Sequence, residues 1–230
     1  MRSAEPPRLG PEELEALRRV SAAGAENAGL AISVLTGLNV RCSEPSVRSL
    51  QVDEVPALLG GDEAAVVAMH MAVTGGSPSD PRGSILIALA PDCAGRLLDA
   101  LCPGRTQGPP PYAPYAPYAY GRGLAAPTDL SEMERSGLLE TGNILAAAYL
   151  TAVSDKTRLN FVPSVPHLAV DMAGALIDYL VVELNEGRDS ALLIDTRMQD
   201  ASGELSARIL MLPDPATLPD VLQALRQRGM

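Results

Sequence analysis

Aromatic side chains are scarce in this 230-residue sequence, which contains one Phe and no Trp and is only 3% aromatic. The chain is nonetheless 47% hydrophobic and 20% charged, which is the balance of an ordinary globular protein. A chain of this length can bury a sizeable core. We therefore expect one compact domain, or two small halves that share a core, built from Ala, Leu, Val, Ile and Met.

Residues that bind metals are also few. The three cysteines, Cys42, Cys93 and Cys102, form no Cys-x-x-Cys pair, and the only histidines are His70 and His167. This spacing excludes a zinc site of the usual kind. We expect no metal site and no cofactor of the protein's own, and thiols that stay reduced in the cytosol.

Positive charge and long apolar runs are lacking as well. The net charge is -10, and no run of Lys or Arg makes a local exception, so phosphate backbones and anionic lipid surfaces should be repelled. The N-terminus has no apolar signal region, and the most apolar stretch, residues 173–184, is interrupted by Asp178 and Glu183. We therefore predict a cytoplasmic protein that neither binds nucleic acid nor inserts into a membrane.

Two segments of the chain carry apolar residues at helical spacing, residues 11–37 and residues 131–157. One constant offset aligns these two predicted helices and the prolines that follow them. The aligned pairs are Leu17 with Leu138, Ser33 with Ser154, Thr36 with Thr157, and Pro45 with Pro166. We interpret the chain as an internal duplication.

Each half is predicted to run helix, strand, helix, strand, strand, helix. The predicted strands are 38–42, 64–73, 84–89, 159–162, 191–197 and 205–212. The predicted helices that follow the two long ones are 52–59, 92–101, 169–184 and 218–228. Turn-rich connections between consecutive strands favour antiparallel hairpins. The expected fold class is α/β of the α+β type, a pseudo-twofold duplicated antiparallel sheet covered by helices.

Composition places the boundary between the two halves. Pro, Tyr, Gly and Ala dominate residues 105–128, which include a Tyr-Ala-Pro repeat, and such a segment cannot join a packed element. We divide the chain into an N-terminal tail at 1–10, a first half at 11–104, a linker at 105–128 and a second half at 129–230.

The second long helix carries an unusual polar stripe. Ser136, Glu140 and Asn143 are spaced four and then three residues apart, so they lie on one face of the helix. Ala147, Thr151 and Ser154 continue this face, and the apolar residues lie opposite, so the stripe should face water. Surface helices normally fill such positions with Lys, Glu and Arg. A flat stripe of small residues is therefore a candidate site.

The stripe belongs to a longer pattern of Ser, three residues, Glu, two residues, Asn, twenty-two residues and Pro, met by Ser136, Glu140, Asn143 and Pro166. This pattern resembles the motif of the CheC, CheX and FliY phosphatases of bacterial chemotaxis, which have Ser or Asp at its first position. The residues around it, 139–145 and 163–174, are also similar to that family. The resemblance covers nearly the whole chain apart from the first ten residues and the linker, and it implies a CheC-like fold.

The resemblance implies a phosphatase that dephosphorylates a phosphorylated CheY-type response regulator. Asn143 suits the placement of the attacking water, because a carboxamide both accepts and donates hydrogen bonds without changing its protonation. Glu140 would pair with the active-site Lys of the receiver, and the Mg²⁺ in the reaction would be supplied by the receiver. The remaining binding residues would be Ser136, Ala147, Thr151 and Pro166.

The first half departs from this pattern. The offset places Arg19 where Glu140 stands and Ala22 where Asn143 stands, although Pro45 is retained. Family members with the pair in both halves differ in this respect. We expect one working site, in the second half, and one degenerate site, in the first.

Two alternative functions stay open. One is a non-enzymatic CheC-like protein that acts as a component of the flagellar switch, against which the intact pair of Glu140 and Asn143 argues. The other is an adaptor that binds a CheD-type deamidase. The second alternative is compatible with phosphatase activity in the same protein.

Overall fold

The computed structural model describes residues 9–102, 104, 130–184 and 190–229, without the side chains of 179–184. The predicted linker, and most of the predicted N-terminal tail, lie outside the described residues. The helices of the described part are α1 Pro11–Thr36, α2 Val55–Leu58, α3 Pro91–Leu101, α4 Glu132–Thr157, α5 Ala173–Leu184 and α6 Leu218–Gln227. Its strands are β1 Val40–Cys42, β2 Ser46–Gln51, β3 Ala65–Thr74, β4 Pro81–Leu89, β5 Val162–Pro163, β6 His167–Met172, β7 Ser190–Asp200 and β8 Ser206–Pro213.

All eight strands belong to one antiparallel sheet. The path through the sheet runs β1-β7-β8-β4-β3-β5, while β2 also pairs with β7 and β6 also pairs with β3. Strands of one half therefore complete the sheet of the other half, since β6 lies beside β3 and β2 lies beside β7. The two halves share one sheet.

The pairing of β4 with β8 marks the centre of the duplication. Leu86 lies directly opposite Leu210, and the flanking positions are related by the same twofold exchange. Matching hydrogen bonds repeat in both halves: the Val40 N–H donates to the Ser33 hydroxyl at 3.0 Å, and the Phe161 N–H donates to the Ser154 hydroxyl at 3.1 Å. The predicted pseudo-twofold fold is confirmed, with α1 and α4 of equal length at 26 residues.

Alternating side chains divide the sheet between two cores. Along β3, Met69 and Met71 point into the larger core, which α1, α3, α4 and α6 cover. Val66 and Ala68 point the other way, into a smaller core under α2 and α5. Both cores are mainly aliphatic, as the composition predicts, and Tyr149 and Phe161 are the aromatic residues among the described members.

The prediction was wrong about two strands. Residues 169–172, predicted as the start of a helix, belong to strand β6, and the helix begins only at Ala173. Residues 46–51, to which no element was assigned, form β2. Pairing decides both cases, since β6 bonds to β3 and β2 bonds to β7 over six residues each. The predicted helix at 52–59 is also shorter, a 3₁₀ turn at Val52–Glu54 followed by the single turn of α2.

Candidate functional site

Helix α4 starts at a well-formed cap. The Ser131 hydroxyl accepts a hydrogen bond from the Glu134 N–H at 3.3 Å, and the Glu134 carboxylate accepts from the Ser131 N–H at 2.8 Å. This reciprocal arrangement satisfies N–H groups that a helix start leaves without partners. The first turn of α4 is therefore fixed only a few residues before the candidate site.

The inner face of α4 holds the helix against the sheet and α1. Leu138, Leu145 and Tyr149 are buried there. Burial raises the pKa of Tyr149 to about 12, so its phenol stays neutral at physiological pH. The rotation of α4 is thereby set, and the opposite side of the helix is turned toward solvent.

The stripe predicted from the sequence lies on that outer side. Ser136, Glu140 and Thr151 are exposed, whereas Asn143 and Ala147 are partly buried at its centre. Neither Glu140 nor Asn143 makes a side-chain hydrogen bond or an ion pair with any described residue. A carboxylate and a carboxamide one helical turn apart are thus presented to solvent.

Ser154, which the sequence places at the end of the stripe, makes a structural hydrogen bond. It is partly buried, and its hydroxyl accepts the Phe161 N–H. The contact ties the last turn of α4 to the segment that leads into β5. Ser154 therefore shapes the support of the site and does not belong to its free surface.

Pro166 lies in the short connection between β5 and β6, two strands that both pack against α4. Ser164 fixes this connection: its N–H donates to the Ala72 carbonyl at 2.8 Å, and its hydroxyl accepts the Ala72 N–H at 3.0 Å. Pro166 itself is partly buried.

Two apolar side chains near Pro166 were missed by the sequence reasoning. Val162 is 46% exposed and Val165 is 79% exposed. Both belong to the segment that adjoins the second half's motif proline. They were missed because a valine in a strand-like run normally indicates burial. Their position close to Pro166 was the one feature of the sequence that could have drawn attention to them.

The equivalent face of α1 has the opposite character. Arg19, at the Glu140 position, lies 3.4 Å from Glu15, and Arg18 lies 3.5 Å from the same carboxylate. Ala22, at the Asn143 position, is exposed, while Pro45 is buried. The stripe of α4 thus exposes a carboxylate and a carboxamide without a described partner, whereas the equivalent face of α1 carries arginines that pair with Glu15.

Two other kinds of site were sought in the described part of the chain. No group of three or more His, Cys, Asp or Glu side chains there lies close enough to hold a metal ion. No helix in the same part is both long enough and apolar enough to cross a membrane.

Comparison with known proteins identifies relatives of this chain. No family model matches it. The CheY-P phosphatase CheC of Bacillus subtilis is 31% identical over 207 residues, which are 88% of each chain. Among solved structures, Thermotoga maritima FliY superposes with a TM-score of 0.66 at 13% identity, covering 95% of this chain and 98% of that one. The FliM middle domain of Helicobacter pylori gives 0.59 at 12% identity, covering 94% and 99%.

The structural likenesses show a shared fold, since their sequence identities are low. The likeness to the Bacillus protein extends over nearly the whole of both sequences, and it agrees with the motif met by Ser136, Glu140, Asn143 and Pro166. The chain therefore belongs to the CheC family of chemotaxis proteins.

Proposed function

We propose that this protein hydrolyses the aspartyl phosphate of a CheY-type receiver and that Glu140 and Asn143 carry the activity. One observation supports this most directly: the two side chains lie one turn apart on a capped, well-anchored helix and have no described partner. A group that acts on another protein needs such freedom before the partner arrives. The name of the Bacillus relative, a CheY-P phosphatase, points to the same substrate.

Asn143 would place the water. Its side-chain oxygen accepts a hydrogen bond from the water and its NH₂ group donates one to the receiver's phosphoryl oxygen, which aligns the water for in-line attack. The partial burial of Asn143 restricts its rotamers, so little further order has to be imposed on docking. A new bond forms between the water oxygen and phosphorus while the bond from phosphorus to the aspartate oxygen breaks.

Glu140 would hold the two proteins in register. The receiver's active-site Lys carries a positive charge, and the exposed Glu140 carboxylate is free to pair with it. This role is electrostatic positioning, so Glu140 neither gains nor loses a proton during the reaction. Products are the receiver's free aspartate, inorganic phosphate and a proton released to solvent, and Mg²⁺ remains part of the receiver substrate.

The other stripe residues would form the contact surface. Ser136, Ala147 and Thr151 are small, so they let a receiver approach the helix closely. Pro166, with the exposed Val165 next to it in the chain, would add a partly apolar edge to the surface. Small and apolar neighbours around two polar groups favour the exclusion of water on docking.

Phosphate release from a phosphorylated CheY-type receiver tests the proposal. The wild-type chain should accelerate release, and Asn143→Ala should remove most of the acceleration, a loss of roughly a hundredfold or more for one well-placed polar group. Asn27→Ala is a matched control, because Asn27 is an exposed asparagine on α1 outside the equivalent stripe. Equal rates for wild type and Asn143→Ala would refute the assignment.

A non-enzymatic role as a flagellar-switch component or as an adaptor for a CheD-type deamidase is the alternative. It is distinguished by the same assay, since a pure adaptor would bind its partner without accelerating phosphate release. Binding of a CheD-type deamidase or of a flagellar-switch component by a chain that also accelerates phosphate release would show that both roles coexist.

A further inference from the structure

The fold gathers arginines that are far apart in the sequence. Arg197 on β7 lies directly opposite Arg208 on β8. Arg41 on β1 lies opposite Gln199, which is two residues along β7 from Arg197 and so on the same face of the sheet. Arg48 on β2 shares this face too. No run of Lys or Arg exists in the sequence, yet four of its 18 cations lie on this one face in a protein of net charge -10.

This face is the one turned away from α1 and α4. Met198 and Ala207, which alternate with the arginines along β7 and β8, are buried in the larger core on the helix side. Arg41 and Arg197 are exposed. The cations therefore do not belong to the stripe of α4 or to the surface that surrounds it.

Only part of this positive charge is neutralised. The Arg208 guanidinium donates to an Asp195 carboxylate oxygen at 2.6 Å, and Arg48 lies 3.7 Å from the same oxygen. Neither Arg41 nor Arg197 forms an ion pair with any described residue. Folding explains Arg208, which neutralises the buried Asp195, but it does not explain the exposed Arg197 directly opposite, since like charges in that position are destabilising.

An open groove of about 270 Å³ lies between the free arginines, and its polar lining includes Ser43 and Gln199. Asp200 also borders the groove, but its two carboxylate oxygens accept hydrogen bonds from the Ser202 hydroxyl and the Leu205 N–H. These hydrogen bonds, that from Ser202 above all, lower the pKa of Asp200, so the groove presents guanidinium and amide donors beside one ionised carboxylate.

The place related to this groove by the pseudo-twofold, which β3, β4, β5 and β6 form, does not carry the same charges. The two hydrogen bonds that join Ser43 to Arg197 recur between Ser164 and Ala72, so the two places are equivalent under the pseudo-twofold. Each cation has a neutral counterpart there: Val162 for Arg41, Ala72 for Arg197, Ser84 for Arg208 and Ala169 for Arg48. The positive charge is therefore present at only one of the two equivalent places, although its four arginines come from both halves of the chain.

We propose that this groove binds a small ligand through a phosphate group. Guanidinium groups present planar, paired donors that match phosphate oxygens. Screening limits electrostatic reach to about 8–10 Å at physiological salt, so a small anion in the groove is governed by the charges that line it, Arg41 and Arg197 against the single carboxylate of Asp200. An acidic protein would cover a far larger area, about 800 Å² on each partner, and would meet the rest of an acidic surface.

Calorimetric titration of the full chain tests this inference. Inorganic phosphate and ADP are the probes, with sodium chloride at equal ionic strength as the reference, and receiver hydrolysis is not involved. We expect saturable binding of at least one phosphate probe, weakened about tenfold or more by Arg41→Gln and by Arg197→Gln, since each removes a charge-assisted hydrogen bond. Tighter binding of ADP would identify a nucleotide as the source of the phosphate, and equal binding would identify free phosphate.

Arg18→Gln is the matched control, because it removes the same charge from an exposed ion pair on α1. It should bind the probes as the wild type does. Circular dichroism checks that each variant is folded, which is expected because Arg41 and Arg197 are both exposed. Two results would overturn the inference. One is the absence of saturable binding of phosphate or ADP beyond that of chloride. The other is saturable binding of a poly-glutamate peptide when neither phosphate nor ADP binds.

Discussion

Gly142 lies so close to Met69 that a Cβ atom at position 142 would be 3.0 Å from both the Cβ and the Sδ of Met69. The missing side chain lets α4 rest directly on β3, one residue before Asn143. The neighbour of the proposed catalytic residue is thus the point at which the helix touches the sheet.

Gly142→Ala should lift α4 from β3 and displace Asn143. Overpacking of this kind costs about 1–3 kcal/mol, and because Met69 is fully buried and has little room to give way, we expect the cost to outweigh the roughly 1 kcal/mol by which Ala is favoured over Gly in a helix. We expect a lower midpoint of thermal unfolding, followed by circular dichroism, together with slower phosphate release from the receiver.

Gly137→Ala provides the matched control in the same helix. A Cβ at position 137 would meet only the Leu98 side chain, at an ordinary distance of 3.8 Å. This change should therefore raise stability by up to about 1 kcal/mol and leave phosphate release unchanged. If both alanines stabilise the protein equally, the close approach of Gly142 to Met69 does not constrain the helix.

The two long helices end alike but with different residues. Gly37 ends α1 with φ 71°, and Arg158 ends α4 with φ 63°, the one non-glycine residue of the described chain with positive φ. A left-handed conformation costs an L residue about 1–2 kcal/mol. Arg158→Gly should therefore raise the free energy of unfolding by about 1 kcal/mol in urea titrations, and Gly37→Ala should lower it by a similar amount. A destabilising Arg158→Gly would show that the arginine side chain contributes more than its backbone costs.

The long helices and the duplication could be read from the sequence because their signals are local. Apolar spacing over 26 residues defines α1 and α4, and the Ser131 cap and Gly37 termination lie within a few residues of the ends. Strands β2 and β6 could not be found this way. Each is six residues long and is stabilised by a strand from the other half of the chain, so no local window contains its partner.

In the candidate site, too, local features could be predicted and contacts between distant segments could not. Ser136, Glu140 and Asn143 follow from helical spacing, whereas the roles of Ser154 and Gly142 depend on what faces them after folding. The cluster of Arg41, Arg48, Arg197 and Arg208 was invisible for the same reason, because its members come from four different strands.

Cys42 should be an unreactive thiol. Its Sγ donates to the Ala25 carbonyl at 3.0 Å, and burial raises its pKa to about 11, only partly offset by a hydrogen bond with the Gly29 backbone. Because the thiolate is the reactive form, iodoacetamide at pH 8 should label Cys42 in the native protein far more slowly than in denaturant, as mass spectrometry would show.

The raised pKa also gives Cys42 a predictable effect on stability. The unfolded thiol, with its ordinary pKa of 9.0, loses its proton before the folded one as pH rises. Its contribution is therefore complete below pH 9 and is lost progressively between pH 9 and about pH 11. Over that window wild type should lose more stability than Cys42→Ala in urea titrations. Identical pH profiles would contradict the raised pKa.

Glu140 should affect docking more than chemistry. Glu140→Ala removes the partner of the receiver's Lys, so KM for the phosphorylated receiver should rise while kcat changes little. Glu140→Lys should raise KM further by placing two cations together. Glu12→Gln, which removes an exposed carboxylate from the first turn of α1, away from the α4 stripe, should leave KM unchanged. A fall in kcat alone for Glu140→Ala would instead assign it a part in the chemical step.

The first half offers a test of the asymmetry between the two stripes. Arg19 and Ala22 can neither position a water nor pair with a receiver Lys, and Arg19 is already engaged by Glu15. Arg19→Glu with Ala22→Asn would restore the pair at the correct spacing on α1. Glu15 would then face a second carboxylate one turn away, and the exposed Glu26 stands where α4 has the small Ala147. The extra carboxylates would crowd the α1 surface, so a receiver would dock there less closely than on α4.

We therefore expect the double reversion to increase phosphate release by less than about twofold, because helper groups need an optimised surround. The decisive background is Asn143→Ala, in which any activity of the reverted α1 becomes visible as partial rescue. Arg19→Ala in the otherwise wild-type chain should leave the rate unchanged, since the arginine has no part in hydrolysis. Loss of phosphate release from Arg19→Ala would mean that α1 is a working surface, and the second half would no longer account for the activity alone.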